Sequence, residues 1–136
     1  MQAKDFLLSV RKAETELISV AAQREHYEDM MQAIGAKINT VVVSRSMNTS
    51  KTEVAAIGLA ELVELLRAKE MEYTGLIQKA NELIGKMNQE KFRQVLTLRY
   101  LARKSWKTIR DMMDYKDEKS VYRCHGYALK ELQKFM

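Results

Sequence analysis

The chain has 136 residues, no proline and five glycines, whereas average usage would give roughly seven prolines and about ten glycines at this length. Because β-sandwiches and barrels use those residues in their turns, this composition disfavours them, and its abundance of strong helix formers favours an all-α protein. The net charge is +5 and there is one cysteine, Cys124, which excludes an intramolecular disulfide and gives no reason to expect an oxidising compartment.

The first predicted helix runs from Ala3 to about Lys37 and carries one apolar stripe. Apolar residues recur at alternating spacings of four and three, interrupted only by Arg24, at Phe6, Val10, Ala13, Leu17, Val20, Tyr27, Met31, Ile34 and Ile38. This is the heptad spacing of helices that pack along their length. Because a helix of this span is roughly 50 Å long, we expect the stripe to be covered by another long helix.

Residues 39–52 are rich in β-branched residues, Ser, Asn and Thr, and are predicted to form a mobile loop. The heptad spacing then resumes, with Lys69 as its basic interruption, at Ala55, Leu59, Leu62, Leu66, Tyr73, Leu76, Ala80, Leu83 and Met87. We therefore expect residues 1–87 to form a long antiparallel helical hairpin for self-association or partner contact, with a homodimer as the favoured oligomer. Arg24 and Lys69 are expected to extend to the surface or to meet an acid such as Glu25, Glu28 or Glu70.

Residues 88–136 are predicted to form a basic module of three short helices. They hold 12 Lys and Arg against 6 Asp and Glu, whereas residues 1–87 hold 11 against 12, so the excess positive charge lies in the last third of the chain. The helices are predicted over 88–101, 105–113 and 119–134, and Ser105 is expected to cap the middle one. A tight turn before the last helix is typical of a helix-turn-helix, while the charge fits either polyanion binding or a lysine-coated surface.

The run KFRQVLTLRYLARKSWKTIRDMM, followed by SVYRCHGYALKEL, resembles the region-4 helix-turn-helix of bacterial sigma-70-type factors. The chain is also similar to small phage and prophage proteins with W-x-x-I and V-Y-R-x-H-G-x-A-L signatures, here Trp106 to Ile109 and Val121 to Leu129, which are related in style to phage regulators of the ArpU and RinA type. The resemblance implies a transcription regulator in the cytoplasm of a bacterial host, with double-stranded DNA and host RNA polymerase as partners. Two positions depart from the usual pattern: Arg110 replaces a small residue and Asp114 replaces a glycine.

The buried face of the last helix is predicted at Val121, Cys124, Ala128, Leu129 and Leu132. The last helix of such a unit reads DNA, so its outward residues and those of the preceding helix are the candidate contacts. These candidate DNA-binding residues are Lys104, Lys107, Arg110, Lys119, Ser120, Tyr122, Arg123, Tyr127 and Lys130. Arg123 suits a bidentate contact with guanine, Ser120 and Lys119 suit phosphate or base-edge contacts, and Tyr122 or Tyr127 can meet a thymine methyl or a phosphate. The resemblance gives Arg99 and Tyr100 a structural role, in packing or in an internal ion pair. His125 is interpreted as a polar helix residue or a DNA contact.

No enzyme, cofactor or metal site is predicted. The sequence has no Gly-rich phosphate loop, H-E-x-x-H, Cys-x-x-Cys or G-x-S-x-G motif, and Cys124 follows the buried period of its helix. The longest uncharged, mostly apolar stretches, such as residues 54–60, are far shorter than the roughly 20 residues that cross a bilayer. We therefore expect a soluble protein that does not bind membranes.

Two other functions stay open at this point. Small terminase subunits, which act in DNA packaging, also combine a helix-turn-helix with oligomerising helices. A helical adaptor that docks an acidic partner on its basic end is the alternative without DNA. Small terminase subunits typically place the helix-turn-helix first, whereas here it is last, as in sigma factors, so the order of the segments favours transcription.

Overall fold

The computed structural model describes the backbone of residues 1–40 and 45–136 and the side chains of residues 1–33 and 53–136. Every regular element in these ranges is helical, which confirms the all-α class. The elements are α1 (Ala3–Thr40), α2 (Arg45–Gly85), α3 (Glu90–Leu96), a π-helical turn (Thr97–Leu101), α4 (Trp106–Met112) and α5 (Glu118–Gln133). Within the described ranges, no helix combines the length and the apolar character needed to span a bilayer.

Part of the segment predicted as a loop, residues 39–52, is helical in the structure. Helix α1 continues through Thr40 and α2 begins at Arg45, so residues 45–52 have helical backbone. The remaining part of the predicted loop, residues 41–44, lies outside the described residues. Ser, Asn and Thr cost only a few tenths of a kcal/mol each in a helix, and a long helix stabilised by packing elsewhere tolerates that cost.

One compact unit of the chain comprises residues 15–71. The apolar stripes of α1 and α2 supply the interior of this unit. Among its described side chains, the buried apolar residues are Val20, Ala55 and Leu66. Tyr27 of α1 lies so close to Gly58 of α2 that a Cβ at Gly58 would stand 2.7 Å from the Tyr27 ring. A side chain at position 58 would therefore require the Tyr27 ring to shift.

The two basic residues of the stripes both find acids in this unit. Lys69 of α2 binds Glu16 of α1, with 2.9 Å between Nζ and Oε2, and Arg24 binds Glu28 on its own helix at 3.0 Å. Glu28 was an expected partner of these residues, whereas the contact with Glu16 depends on the packing of α1 against α2 and has no local signature. All four side chains are partly exposed, so these ion pairs contribute little net stability.

The second compact unit comprises residues 1–14 and 72–136. Its core joins buried side chains from five helices, including Leu7 and Val10 of α1, Val95 of α3, Ile109 of α4 and Leu132 of α5. The first turns of α1 and the last turns of α2 thus share one hydrophobic core with the C-terminal helices. The predicted domain boundary after residue 87 stays a prediction, and the core extends across it.

Polar contacts also attach α1 to the rest of this unit. The Ala3 N–H donates to Oε1 of Gln133 at the end of α5, at 2.6 Å. Arg103 follows the π-helical turn with a left-handed backbone, φ 56°, and its Nε lies 3.8 Å from Oε2 of Glu14. Burial first, and then the Glu14 carboxylate, raise the pKa of Tyr73 on α2.

Candidate nucleic-acid interface

The turn between α4 and α5 is defined by two side-chain caps. Ser105 caps α4, as predicted, and accepts a hydrogen bond from the Thr108 N–H at 3.2 Å. Asp117 caps α5 and accepts from the N–H of Ser120 at 2.9 Å and from its hydroxyl at 2.8 Å. These hydrogen bonds lower the pKa of Asp117. This second cap was not predicted, although an Asp three residues before a Ser at the start of a helix is a sequence signal for an N-cap.

Asp114 has a positive φ of 58°, in the left-handed region that favours glycine. This explains why a glycine would be expected at this position of the turn, and Asp is among the residues that tolerate the conformation best. The turn is closed by the Tyr115 N–H, which donates to the Arg110 carbonyl at 3.0 Å.

Arg110 does not enter the packing between α4 and α5. Ile109 fills that position with no exposed surface. The Arg110 guanidinium instead donates twice to Oδ1 of Asp111, at 3.1 and 3.0 Å. A long side chain at position 110 is therefore accommodated on the surface of α4 without separating the helices.

The inward face of α5 is the one the sequence predicts, because Val121, Cys124, Ala128 and Leu132 are all buried. Cys124 is a core residue whose thiol lies 3.7 Å from the Lys91 carbonyl. A hydrogen bond to this thiol, with burial as the second cause, raises the pKa of Tyr115 to about 12. Contacts from both α3 and the turn thus fix the rotation of α5 about its axis.

The opposite face of α5 carries the predicted basic residues. Lys119, Arg123 and Tyr127 follow each other at intervals of four residues, Lys130 continues the line, and all four are exposed. Residues three or four apart lie on the same side of a helix, so these side chains form one stripe along α5. We call this set the α5 stripe.

Two other predicted contacts on α5 have their hydroxyl groups engaged within the protein. The Ser120 hydroxyl donates to Asp117 at 2.8 Å. The Tyr122 hydroxyl donates to Oε2 of Glu118 at 3.1 Å, which raises the pKa of Tyr122. Neither hydroxyl proton is available to a phosphate in this conformation, although the exposed ring of Tyr122 is still accessible.

A cluster of rings joins the start of α4 to α5. Trp106 contacts Tyr122 and His125 edge to face, with ring centroids 5.1 and 4.8 Å apart, and the guanidinium of Arg99 lies 4.3 Å from the Trp106 ring. The Tyr100 hydroxyl and Nε2 of His125 form a hydrogen bond of 2.8 Å. This cluster places Trp106 beside the first turns of α5.

The ring cluster also bears on the roles of Tyr100, Arg99 and His125. Tyr100 is 2% exposed and Arg99 donates to the Lys104 carbonyl at 3.1 Å, in agreement with packing roles. Burial, followed by the charges of Lys4 and Arg99, lowers the pKa of His125 to about 4. His125 is therefore neutral at neutral pH and bound to Tyr100, which fits the interpretation as a polar helix residue better than that of a DNA contact.

Lys104 and Lys107, the predicted contacts at the start of α4, are both exposed and flank Trp106 and Ser105 in the sequence. Four acids also lie close together in the sequence at this end of the module: Asp111, Asp114, Asp117 and Glu118. The surface around the turn is thus of mixed charge, whereas residues 121–134 carry Arg123, Lys130 and Lys134 against Glu131 alone.

Comparisons of the chain with protein-family models, curated proteins and solved structures find no match. Among the described residues, no three His, Cys, Asp or Glu side chains are grouped so that they could hold a metal ion.

Proposed function

We propose that this protein is a DNA-binding transcription regulator of phage or prophage type, and that α4, the turn and α5 are its helix-turn-helix. The observation that carries the proposal is the α5 stripe. It places exposed cationic and aromatic side chains along one side of a helix whose other side is fixed in the core. The resemblance of residues 88–136 to sigma region 4 and their net charge of +6 support it.

The dimensions of α5 suit a major groove. Its 16 residues span about 24 Å, and a helix with its side chains is about 10–12 Å across, which matches a groove about 12 Å wide. In this arrangement Arg123 contacts a base edge, because its planar guanidinium can donate two hydrogen bonds to guanine. Lys104, Lys107, Lys119 and Lys130 contact phosphates.

The proposed role of residues 15–71 is self-association through an antiparallel hairpin. Support comes from its packing, in which later residues of α1 contact earlier residues of α2: Glu16 meets Lys69, and Tyr27 meets Gly58. Ile18, Ile57 and Met71 are 55, 61 and 72% exposed, so apolar surface is left for a second copy to cover. A two-fold dimer would bind two half-sites related by the same symmetry.

Light scattering tests the self-association. We expect the wild-type chain to be a dimer at micromolar concentration and Ile57→Asp to shift it towards the monomer. Met112→Asp is the matched control, because Met112 is 57% exposed in the other unit and should leave the dimer intact. A monomeric wild-type chain would contradict this role.

Fluorescence anisotropy with labelled duplexes tests the DNA binding. If α5 and its neighbours neutralise four to six phosphates, log K should fall with log[salt] with a slope of about −4 to −5. Arg123→Ala should cost about 1–3 kcal/mol and relax base preference, whereas Lys107→Ala should weaken all sequences alike. Binding without salt dependence, or an Arg123→Ala variant with wild-type affinity on every duplex, would contradict the proposal.

A reporter assay separates regulation from DNA packaging. We expect expression of the protein beside phage upstream regions in a bacterial host to change promoter output, with host RNA polymerase as the further partner. The change should be lost in an Arg123→Ala, Lys130→Ala double variant. Unchanged output at all promoters, together with binding to a large terminase subunit, would instead support the packaging function.

A further inference from the structure

The first turns of α1 form part of the C-terminal module, although 70 residues or more separate them from it in the sequence. Ala3, Phe6 and Leu7 are each no more than 2% exposed and belong to the same core as Ala128 and Leu132 of α5. The hydrogen bond from the Ala3 N–H to Gln133 fixes the position of this segment against α5. Side chains next to Ala3 are therefore held beside α5.

A surface cleft lies along this contact. It is lined on one side by Gln2, Ala3 and Lys4 of the N-terminal segment and on the other by Leu129, Lys130 and Gln133 of α5. Lys130 is the last residue of the α5 stripe. The cleft thus continues the cationic surface of α5 onto α1, with Lys4 and Lys130 on opposite walls.

The charge of Lys4 is available to an anion. Lys4 is exposed, and among the described side chains it forms none of the ion pairs of this unit. The positive charge of Lys4 acts on α5, because Lys4 is the second cause, after burial, of the lowered pKa of His125. Around His125 the structure places the cations Lys4 and Arg99, which disfavour protonation of the ring, and the neutral rings of Tyr100 and Trp106.

We propose that Lys4 contacts the phosphate backbone of duplex DNA together with Lys130, so that the DNA-binding surface includes the first turn of α1. The inference rests on the proposed function of α5 and extends its surface beyond the helix-turn-helix. Phosphates are the anions that duplex DNA presents at regular spacing along both strands. Two lysines on opposite walls of one cleft can bind successive phosphates of a strand that leaves the groove at the end of α5.

The test compares lysines on the same helix in the full-length protein. Lys12 is also exposed on α1 but lies about 12 Å further along the helix axis than Lys4, and it does not line the cleft. With a labelled random-sequence duplex, Lys4→Ala should lower affinity roughly five- to tenfold near 50 mM salt and reduce the slope of log K against log[salt] by about 1. Lys12→Ala should keep the wild-type affinity and slope, and Lys4→Arg should keep the affinity because it keeps the charge.

A second measurement reads the contact without a variant. When the wild-type protein is acetylated with and without duplex, we expect the reactivity of Lys4 and Lys130 to fall on binding while that of Lys12 stays constant. If Lys130→Ala weakens binding but Lys4→Ala equals wild type, the inference is overturned and the proposed function stands. If Lys4→Arg weakens binding as much as Lys4→Ala, charge is not the cause and the inference is again overturned. A wild-type chain that binds no duplex overturns the proposed function itself.

Discussion

The two compact units of this chain bury apolar side chains to very different extents. Of the 21 buried apolar residues in the described part of the chain, only Val20, Ala55 and Leu66 lie in residues 15–71, and the others lie in the unit formed by residues 1–14 and 72–136. Two helices can cover one stripe of each other, whereas five helices can enclose a core. The same heptad spacing along α1 and α2 therefore buries few side chains in residues 15–71 and many where the other helices complete the core.

The largest expected difference between the units is in core stability. Ile109 has no exposed surface in the α3–α5 core, whereas Ile57 is 61% exposed on α2. Ile109→Ala should lower the free energy of unfolding by about 2–5 kcal/mol, because it removes buried methyl groups and leaves a cavity. Ile57→Ala should lower it by less than Ile109→Ala, because it leaves no cavity inside its own unit and removes only contacts with a second copy. Urea unfolding of the two variants measures both values, and equal losses would contradict the difference between the units.

The next difference is in how stability depends on pH, because His125 lies in the unit formed by residues 1–14 and 72–136. The folded-state pKa of His125 is lowered to about 4 from 6.5, mainly by burial, so the unfolded chain binds a proton more readily between these values. Its contribution to stability is therefore complete above pH 6.5 and is lost as the pH falls towards 4. We expect a loss of about 1–2 kcal/mol from this group, reduced from the full linkage value because the ring is partly exposed to solvent.

Unfolding measurements between pH 4 and pH 7 test this dependence. His125→Phe keeps a ring against Trp106 but cannot be protonated, so the slope of stability against pH should become shallower than in wild type. The lost hydrogen bond to Tyr100 lowers stability at every pH and does not affect that slope. Identical slopes for wild type and His125→Phe would show that His125 is not the titrating group.

The smallest expected effects come from replacing one glycine in α2 and one in α5, which should change stability alike but DNA binding differently. A Cβ at Gly126 on α5 or at Gly75 on α2 would meet no other atom within 4 Å. Both Gly→Ala variants should therefore stabilise their helices by about 0.5–1 kcal/mol. Under the proposed function only Gly126→Ala should weaken duplex binding, because Gly126 lies within the recognition helix, where a missing side chain allows close approach of DNA. Equal binding by both variants would remove that role from Gly126.

Periodicity predicted those parts of the fold that depend on the spacing of apolar residues along a helix. The all-α class, the buried face of α5 at Val121 and Leu132, and the Ser105 cap follow from local patterns that a single sequence contains. The loop over residues 39–52 was predicted too long, because the low helix propensity of Ser, Asn and Thr is a weak effect beside the stability of a long helix.

Other features could not be predicted because they depend on residues that are distant in the sequence. The bond between Ala3 and Gln133 joins the two ends of the chain, and no local pattern indicates it. The ring cluster around Trp106 needs the packing of α4 on α5 before its members meet. The predicted DNA contacts are exposed on α4 and α5, yet the engaged hydroxyls of Ser120 and Tyr122 became visible only with their partners Asp117 and Glu118.

Under the proposed function, the α5 stripe reads duplex DNA. Selection from a random-sequence duplex library tests this contact. The intact wild-type protein should enrich a defined sequence over successive rounds, and Arg123→Ala should lose preference at one or more positions while still retaining DNA at low salt. A wild-type protein that enriches no sequence and retains no duplex in a salt-dependent way would contradict the claim.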